Sequence, residues 1–360
     1  MKKLFAALFL LLMSATLVMA GEAPPKEEAV EVTPPKPAEG AIILKLAHAD
    51  SVDIYSSRKH AQAVAFANFV NARSGGKLVA QVYGAGALGG EREYVEGIKA
   101  GTIEAGIASG VLGSFFPQAM ITDIPYLFPS SYVAWTVMDG PFGDKLRKMF
   151  LAQTGIRCLG FAEVGFRNFT NNTRPIRTPD DMKGLKFRVM ETPLFVTLVK
   201  SLGASPTPIA WPEVYSALQT GVVDGQENPV PVILAHKLYE VQKYLTLDKH
   251  VYGVDWFLIN EKFFQSLTPD LQYIVLDSAR MANGVGRGVQ NALEATGISG
   301  LEKQGMKIYV PTEQEMAMFK KAAQQPVIDW LKTKIDASLI DEILREVDRV
   351  VASQKQEFKW

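Results

Sequence analysis

Between residues 42 and 109 the apolar spacing switches back and forth between a strand period and a helix period. IILKLAH (42–48) and KLVAQVY (77–83) are short runs rich in β-branched residues, and TIEAGIAS (102–109) is a third. Residues 57–72 instead place Ala61, Ala65 and Phe69 on one helical stripe before a stop at Gly75, and EREYVEGIKA (91–100) is a second helical stretch. Strands alternating with helices predict an α/β fold with a mainly parallel sheet. A second set starts near Gly155 with GIRCLGFAE and LKFRV, followed by helices near 193–202 and 211–220 and the strand VYGVDWFLIN (251–260). From Thr268 the chain reads as helical apart from GMKIYVP (305–311), and no fixed-period repeat occurs.

The amino terminus carries an export signal. Lys2 and Lys3 precede an apolar run from Leu4 to Met13, and small residues lead to Val18-Met19-Ala20, so cleavage is expected after Ala20. The apolar run is short for a spanning helix. From Gly21 to Gly40 the chain is rich in Pro, Glu and Lys, which predicts a disordered tether. About 320 residues then remain, enough for two lobes. Cys158 is the only cysteine, so no internal disulfide forms and the core alone must hold the fold. An exported location outside the cytoplasm is the expectation.

Charge excludes one class of partner. The chain has 38 basic and 38 acidic residues, and loss of residues 1–20 leaves a slight acidic excess. Without a basic patch nucleic acid is not an expected partner. GAGALG (84–89) fits the GxGxxG outline, yet the helix begins after the glycines and EAGIAS ends without a ribose-binding acid. No cofactor is therefore expected. His48, His60, His236 and His250 are scattered, no second cysteine exists and no GxSxG elbow occurs, so no catalytic or metal constellation is visible.

Binding signals are stronger. GVVDGQENPV (221–230) sets Asp224, Gln226, Glu227 and Asn228 on what reads as one connection, where a turn needs only Asp-Gly. Surface loops are polar by default, so this alone leaves a solvated loop open. LKFRV (185–189) alternates, putting Lys186 and Arg188 on one face. Arg188 stands near the strand's carboxyl end, where open α/β sheets place ligands, and its planar fork suits a carboxylate. An edge strand with a solvated face remains the alternative. Arg167 is expected at the end of the preceding strand. Trp211 is expected just outside a helix whose first position is Pro212, projecting into a cleft or packing in the core. Glu191 and Asp255 are either ligand contacts or structural partners.

In order along the chain, ALGGEREYVEGIKAGTIEAGIAS, IPYLF, DDMKGLKFRV, GASPTPIAWPEVYSALQTGVVDGQENP and YEVQKYL resemble the DctP-type substrate-binding proteins of TRAP (tripartite ATP-independent periplasmic) transporters. The resemblance runs from about residue 42 to 330. It implies a two-lobed Venus-flytrap fold with a long linking helix, one lobe mainly 41–155, the other mainly 156–255, and C-terminal helices across both. It also implies capture of an organic acid in the periplasm and its delivery to a permease with a small and a large membrane subunit. Within the site it implies a carboxylate clamp at Arg188, support from Arg167, a ligand contact from Asn228 and a cleft aromatic at Trp211. Sialic-acid members carry Glu and Arg where this chain has Ala108 and Val111, so sialate is not the expected ligand. Glu191 replaces an Asn found in some members, which implies a hydroxyl or amine at the far end of the ligand. A ligand-binding partner of a membrane sensor would share this site, and a periplasmic enzyme would need a constellation that is not visible.

Overall fold

The computed structural model describes residues 37–357, with side chains to Lys355. The export signal and most of the tether lie outside the described residues. Residues 37–40 form an exposed turn, and the Ala38 N–H donates to the Gly76 carbonyl at 3.0 Å. Ordered chain thus begins before Ala41.

One nine-stranded mixed sheet organises the chain, in the order β2-β1-β3-β8-β4-β7-β5-β6 with β9 beside β8. Its first half holds β1 (Ile42–Ala47), β2 (Leu78–Tyr83) and β3 (Ala105–Ala108), all parallel. Its other half holds β5 (Lys186–Val189), β6 (Ser205–Pro208) and β7 (Gly225–Asn228), with β5 parallel to both neighbours. Two long strands join the halves: β4 (Ile156–Asn171) and β8 (Tyr244–Asn260) run antiparallel from the Ile156–Asn260 pair to the Asn171–Tyr244 pair. β4 is therefore about twice as long as GIRCLGFAE suggests, and Arg167 lies within it rather than at its end. Register shifts interrupt it near Gly160, Gly165 and Arg167.

Helices cover the sheet as the alternation requires. Helix α1 (Arg58–Arg73) buries Ala63, Phe66, Ala67 and Val70, a stripe displaced from the expected one so that Phe66, not Phe69, reaches the core. Helix α2 (Glu91–Ala100) starts after the glycine-rich turn, with Gly90 as its cap. Helices α3 (Ser131–Asp139) and α4 (Pro141–Thr154) fall where no element is expected. Helices α5 (Pro193–Ser201), α6 (Val214–Gln219), α7 (Val230–Ala235) and α8 (Glu261–Ser266) follow, then β9 (Lys307–Tyr309) between α9 (Pro269–Lys303) and α10 (Glu313–Leu331), and finally α11 (Ala337–Glu357). At ~1.5 Å per residue α9 spans about 50 Å and lies against α1, β4 and α7.

The segment GQEN is not a loop. Residues 225–228 form β7, a buried strand paired antiparallel with β4. Gly225 permits that pairing, because a Cβ there would sit 2.2 Å from the Thr170 carbonyl oxygen. LKFRV is likewise no edge: β5 is flanked by β6 and β7.

Candidate functional site

Parallel strands from both halves of the sheet end around one cavity. Asp50 follows β1, Ser109 follows β3, Arg188 ends β5 with Met190 and Glu191 just beyond, and Asn228 ends β7. Such a crevice at strand carboxyl ends is where open α/β sheets bind ligands. Val111, Val164, Met190 and Val232 form its apolar lining.

Arg188 is 3 % exposed and lines the cavity. Its Nε donates to the Ile209 carbonyl at 2.9 Å, and its guanidinium carbon lies 5.5 Å from the centre of the Trp211 ring. Among the described residues no carboxylate lies within 4.0 Å of it. Burial pushes its pKa down to about 10, so it stays cationic at neutral pH. A buried cation without an anion is costly unless a ligand completes the pair.

Arg167 is placed differently. It also lines the cavity, but its Nε and Nη2 both bond the Glu227 carboxylate, and Nη2 further donates to the Glu227 carbonyl at 2.7 Å. Glu227 Oε2 accepts from His250 Nε2 at 3.2 Å, and His250 Nδ1 meets Asp248 Oδ2 at 2.9 Å. The imidazole stacks on Phe169 with ring centres 4.0 Å apart. Burial alone would raise Glu227, but Arg167 and His250 hold it down at about 2. Burial alone would lower His250, but Asp248 and Glu227 lift it to about 9. The result is an alternating, charge-balanced row that fixes Arg167.

Asn228 Nδ2 donates to Gln226 Oε1 at 2.5 Å, and Gln226 Nε2 donates to Thr170 Oγ1 at 2.8 Å. The polar cluster that looked like a binding loop is thus mostly support: Asn228 alone of the four lines the cavity. Asp224 accepts from the Lys186 N–H at 2.7 Å, Gln226 orients Asn228, and Glu227 holds Arg167. Trp211 lines the cavity, half-buried, edge-on to His236 at 4.7 Å. It opens a short 3₁₀ turn, Trp211–Glu213, rather than preceding it. Glu191 lines the cavity at its rim, and its carbonyl accepts from Ser114 Oγ at 2.7 Å.

Asp255 corrects the ligand-contact reading. Of its two expected roles, ligand contact or structural partner, it takes the second: it is not among the cavity-lining residues, is fully buried, and is committed to Arg58 Nε at 3.0 Å and Lys59 Nζ at 3.4 Å. Its β8 position faces the start of α1, which interposes these two cations.

The facing wall comprises residues for which no role was expected. Arg58 Nη1 is 3.0 Å from Asp50 Oδ2, and Lys59 Nζ is 3.7 Å from Asp50 Oδ1 and bonds Glu91 Oε1. Glu91 also accepts from the Ser109 N–H at 3.2 Å. Burial would raise Asp50, but Lys59 and Arg58 hold it well below the usual carboxylate range. Burial would lower Lys59, but Asp255, Glu91 and Asp50 raise it above its ordinary value. One sequence signal for this wall exists: Ser57 caps a helix whose first two residues are Arg58 and Lys59, with no acid in the first turn. Cations at a helix amino terminus oppose the helix dipole and demand acids from elsewhere.

The sequence matches the DctP description, bacterial extracellular solute-binding protein, family 7, over residues 52–333. The chain belongs to that family. A solute-binding protein of Verminephrobacter eiseniae is 40 % identical over 261 residues, covering 71 % of this chain and 78 % of its own. A TRAP periplasmic solute-binding protein from Bordetella, with density assigned to pantoate, is 38 % identical with a TM-score of 0.79, covering 84 % of this chain and 98 % of its own. One from Polaromonas, bound to D-erythronate, is 36 % identical with a TM-score of 0.80 and the same coverages. The fold is the two-lobed binding-protein fold of this family, with the cavity built by both halves of the sheet. Solute-binding proteins of this family hold small molecules rather than transform them. Among the described residues no helix is long and apolar enough to cross a membrane.

Proposed function

We propose that the protein captures an organic acid outside the cytoplasm and hands it to a TRAP permease made of a small and a large membrane subunit. The observation that carries this reading is Arg188: a buried, cavity-facing guanidinium with no carboxylate of its own. A ligand carboxylate completes the pair in the bidentate manner that guanidinium favours. Arg167, fixed by Glu227, adds a second donor group, Asn228 an amide, and Trp211 a flat wall beside the clamp. Glu191 at the rim meets the far end of the ligand. The ligands of the two structural relatives, pantoate and D-erythronate, are both carboxylates, in keeping with this clamp.

The lobes on this reading comprise mainly 41–155 and mainly 156–255, and they close on the ligand because it contacts both. Cleavage after Ala20 releases the mature protein into the periplasm. Calorimetry with D-erythronate and pantoate tests the reading: binding that is lost in Arg188→Ala supports it. An Arg188→Ala protein that binds as tightly as the wild type overturns it.

A further inference from the structure

Each cavity-lining cation except Arg188 is already matched. Arg167 has Glu227, Arg58 has Asp50 and Asp255, and Lys59 has Glu91, Asp50 and Asp255. Opposite the clamp, two cations therefore face three carboxylates, of which Asp50 and Glu91 line the cavity, and Glu191 adds another acid at the rim. A second ligand carboxylate would find no free cation there and would meet like charge. The same wall offers donors as well as acceptors: Arg58 and Lys59 N–H groups, the Ser109 hydroxyl, and the oxygens of Glu91 and Asp50. A carboxylate only accepts and an ammonium only donates, whereas a hydroxyl does both.

Resting on the carboxylate-binding reading above, we infer that the site selects hydroxylated monocarboxylates and rejects dicarboxylates of the same length, with the Lys59–Glu91 pair as the determinant. Glu91 neutralises the one lysine that a second carboxylate would otherwise use, and it presents its own charge against that carboxylate. Like-charge juxtaposition across a desolvated site is strongly unfavourable. Arg188 and the Lys59–Glu91 pair line the same cavity, so the two ends of one ligand are read separately.

Competition calorimetry with three four-carbon probes decides the matter: D-erythronate, meso-tartrate and γ-aminobutyrate. In the wild type erythronate binds, and tartrate and aminobutyrate are each weaker by roughly a hundredfold or more. In Glu91→Gln the acid excess disappears and Lys59 loses its nearest carboxylate, so the tartrate-to-erythronate gap narrows by roughly tenfold. The double variant Lys59→Met/Glu91→Gln restores the gap, because the released cation is gone. Tartrate or aminobutyrate binding the wild type as tightly as erythronate overturns the inference, and this arm needs no variant to fold. A gap that persists in well-folded Glu91→Gln removes Lys59–Glu91 as the determinant. Failure of all carboxylates to bind overturns the underlying reading instead.

Discussion

Arg167 and Glu227 meet three times, through both carboxylate oxygens, one of them at 2.8 Å, and through the backbone carbonyl at 2.7 Å. One glutamate thus fixes both position and charge of a cavity arginine, while Arg188 one strand further on is left without an acid. The two arginines divide the work: one is prepaired, the other awaits an anion.

Arg188→Ala should weaken ligand binding by roughly thirty-fold or more, since truncating one partner of a buried charge pair costs ~2–5 kcal/mol. Arg188→Lys keeps the charge but loses the planar fork, so calorimetry should show affinity between that of the wild type and alanine variants. Full affinity in the lysine variant would mean that a point charge suffices.

Glu227→Gln leaves Arg167 and His250 buried without their shared carboxylate. Breaking a buried pair from one side costs about 3–5 kcal/mol. Thermal unfolding should fall by on the order of 10 °C, and an unchanged midpoint would show the row to be dispensable.

The same row sets a pH dependence. His250 has its folded pKa raised to about 9 from an ordinary value of 6.5, so its stabilising contribution is complete below 6.5 and is lost as pH rises towards 9. Glu227 is held down at about 2 from 4.5, so its contribution is present above 4.5 and is lost as pH falls towards 2. Urea midpoints should be highest between these limits, and His250→Gln should flatten the alkaline limb and, by removing one of the two groups that hold Glu227 down, also weaken the acid one. An alkaline limb unchanged in that variant would assign it to another group.

Cys158 is buried, and that burial pushes its thiol up to about 12. Native protein should react with iodoacetamide only at its unfolding rate, as the thiolate is the nucleophile. Rapid stoichiometric labelling of the folded protein would contradict its placement in β4.

The architecture was legible because period switching is local. EREYVEGIKA occupies the helix its spacing predicts, Glu91–Ala100. Phe66 replaced Phe69 because the choice of buried stripe depends on what β2, β8 and α9 present, which no helix window contains. GQEN looked like a loop because its strand carries no apolar side chain. Its burial is made tolerable by Arg167, Thr170 and His250, all distant in sequence. The place of Arg188 near the carboxyl end of a strand was legible from a five-residue alternation. The facing wall was not, since Asp50, Lys59, Glu91 and Asp255 come together only when β1, α1, α2 and β8 have packed. The two readings of Asp255 stayed open for the same reason: its partners, Arg58 and Lys59, arrive from a different part of the chain.

The continuous β4–β8 ladder has a consequence for building hybrids of this protein with its relatives. A crossover at residue 155, where the first set of elements ends, would take β4 from one parent and β3 from the other while β8 must pair with both. Every rung from Ile156–Asn260 to Asn171–Tyr244 would then join two strands from the second parent, but β8 would still have to match β3 of the first at Ala105–Ile259 and Ala108–Trp256. Exchanging ligand preference is therefore better done by swapping two short segments, α1 with the turn before it for Asp50 and Lys59 and α2 for Glu91, than by swapping a whole half. The inherited seam is then side-chain packing with a few loop contacts, such as the Ala85 N–H to the Asp50 carbonyl, and no strand register is put at stake.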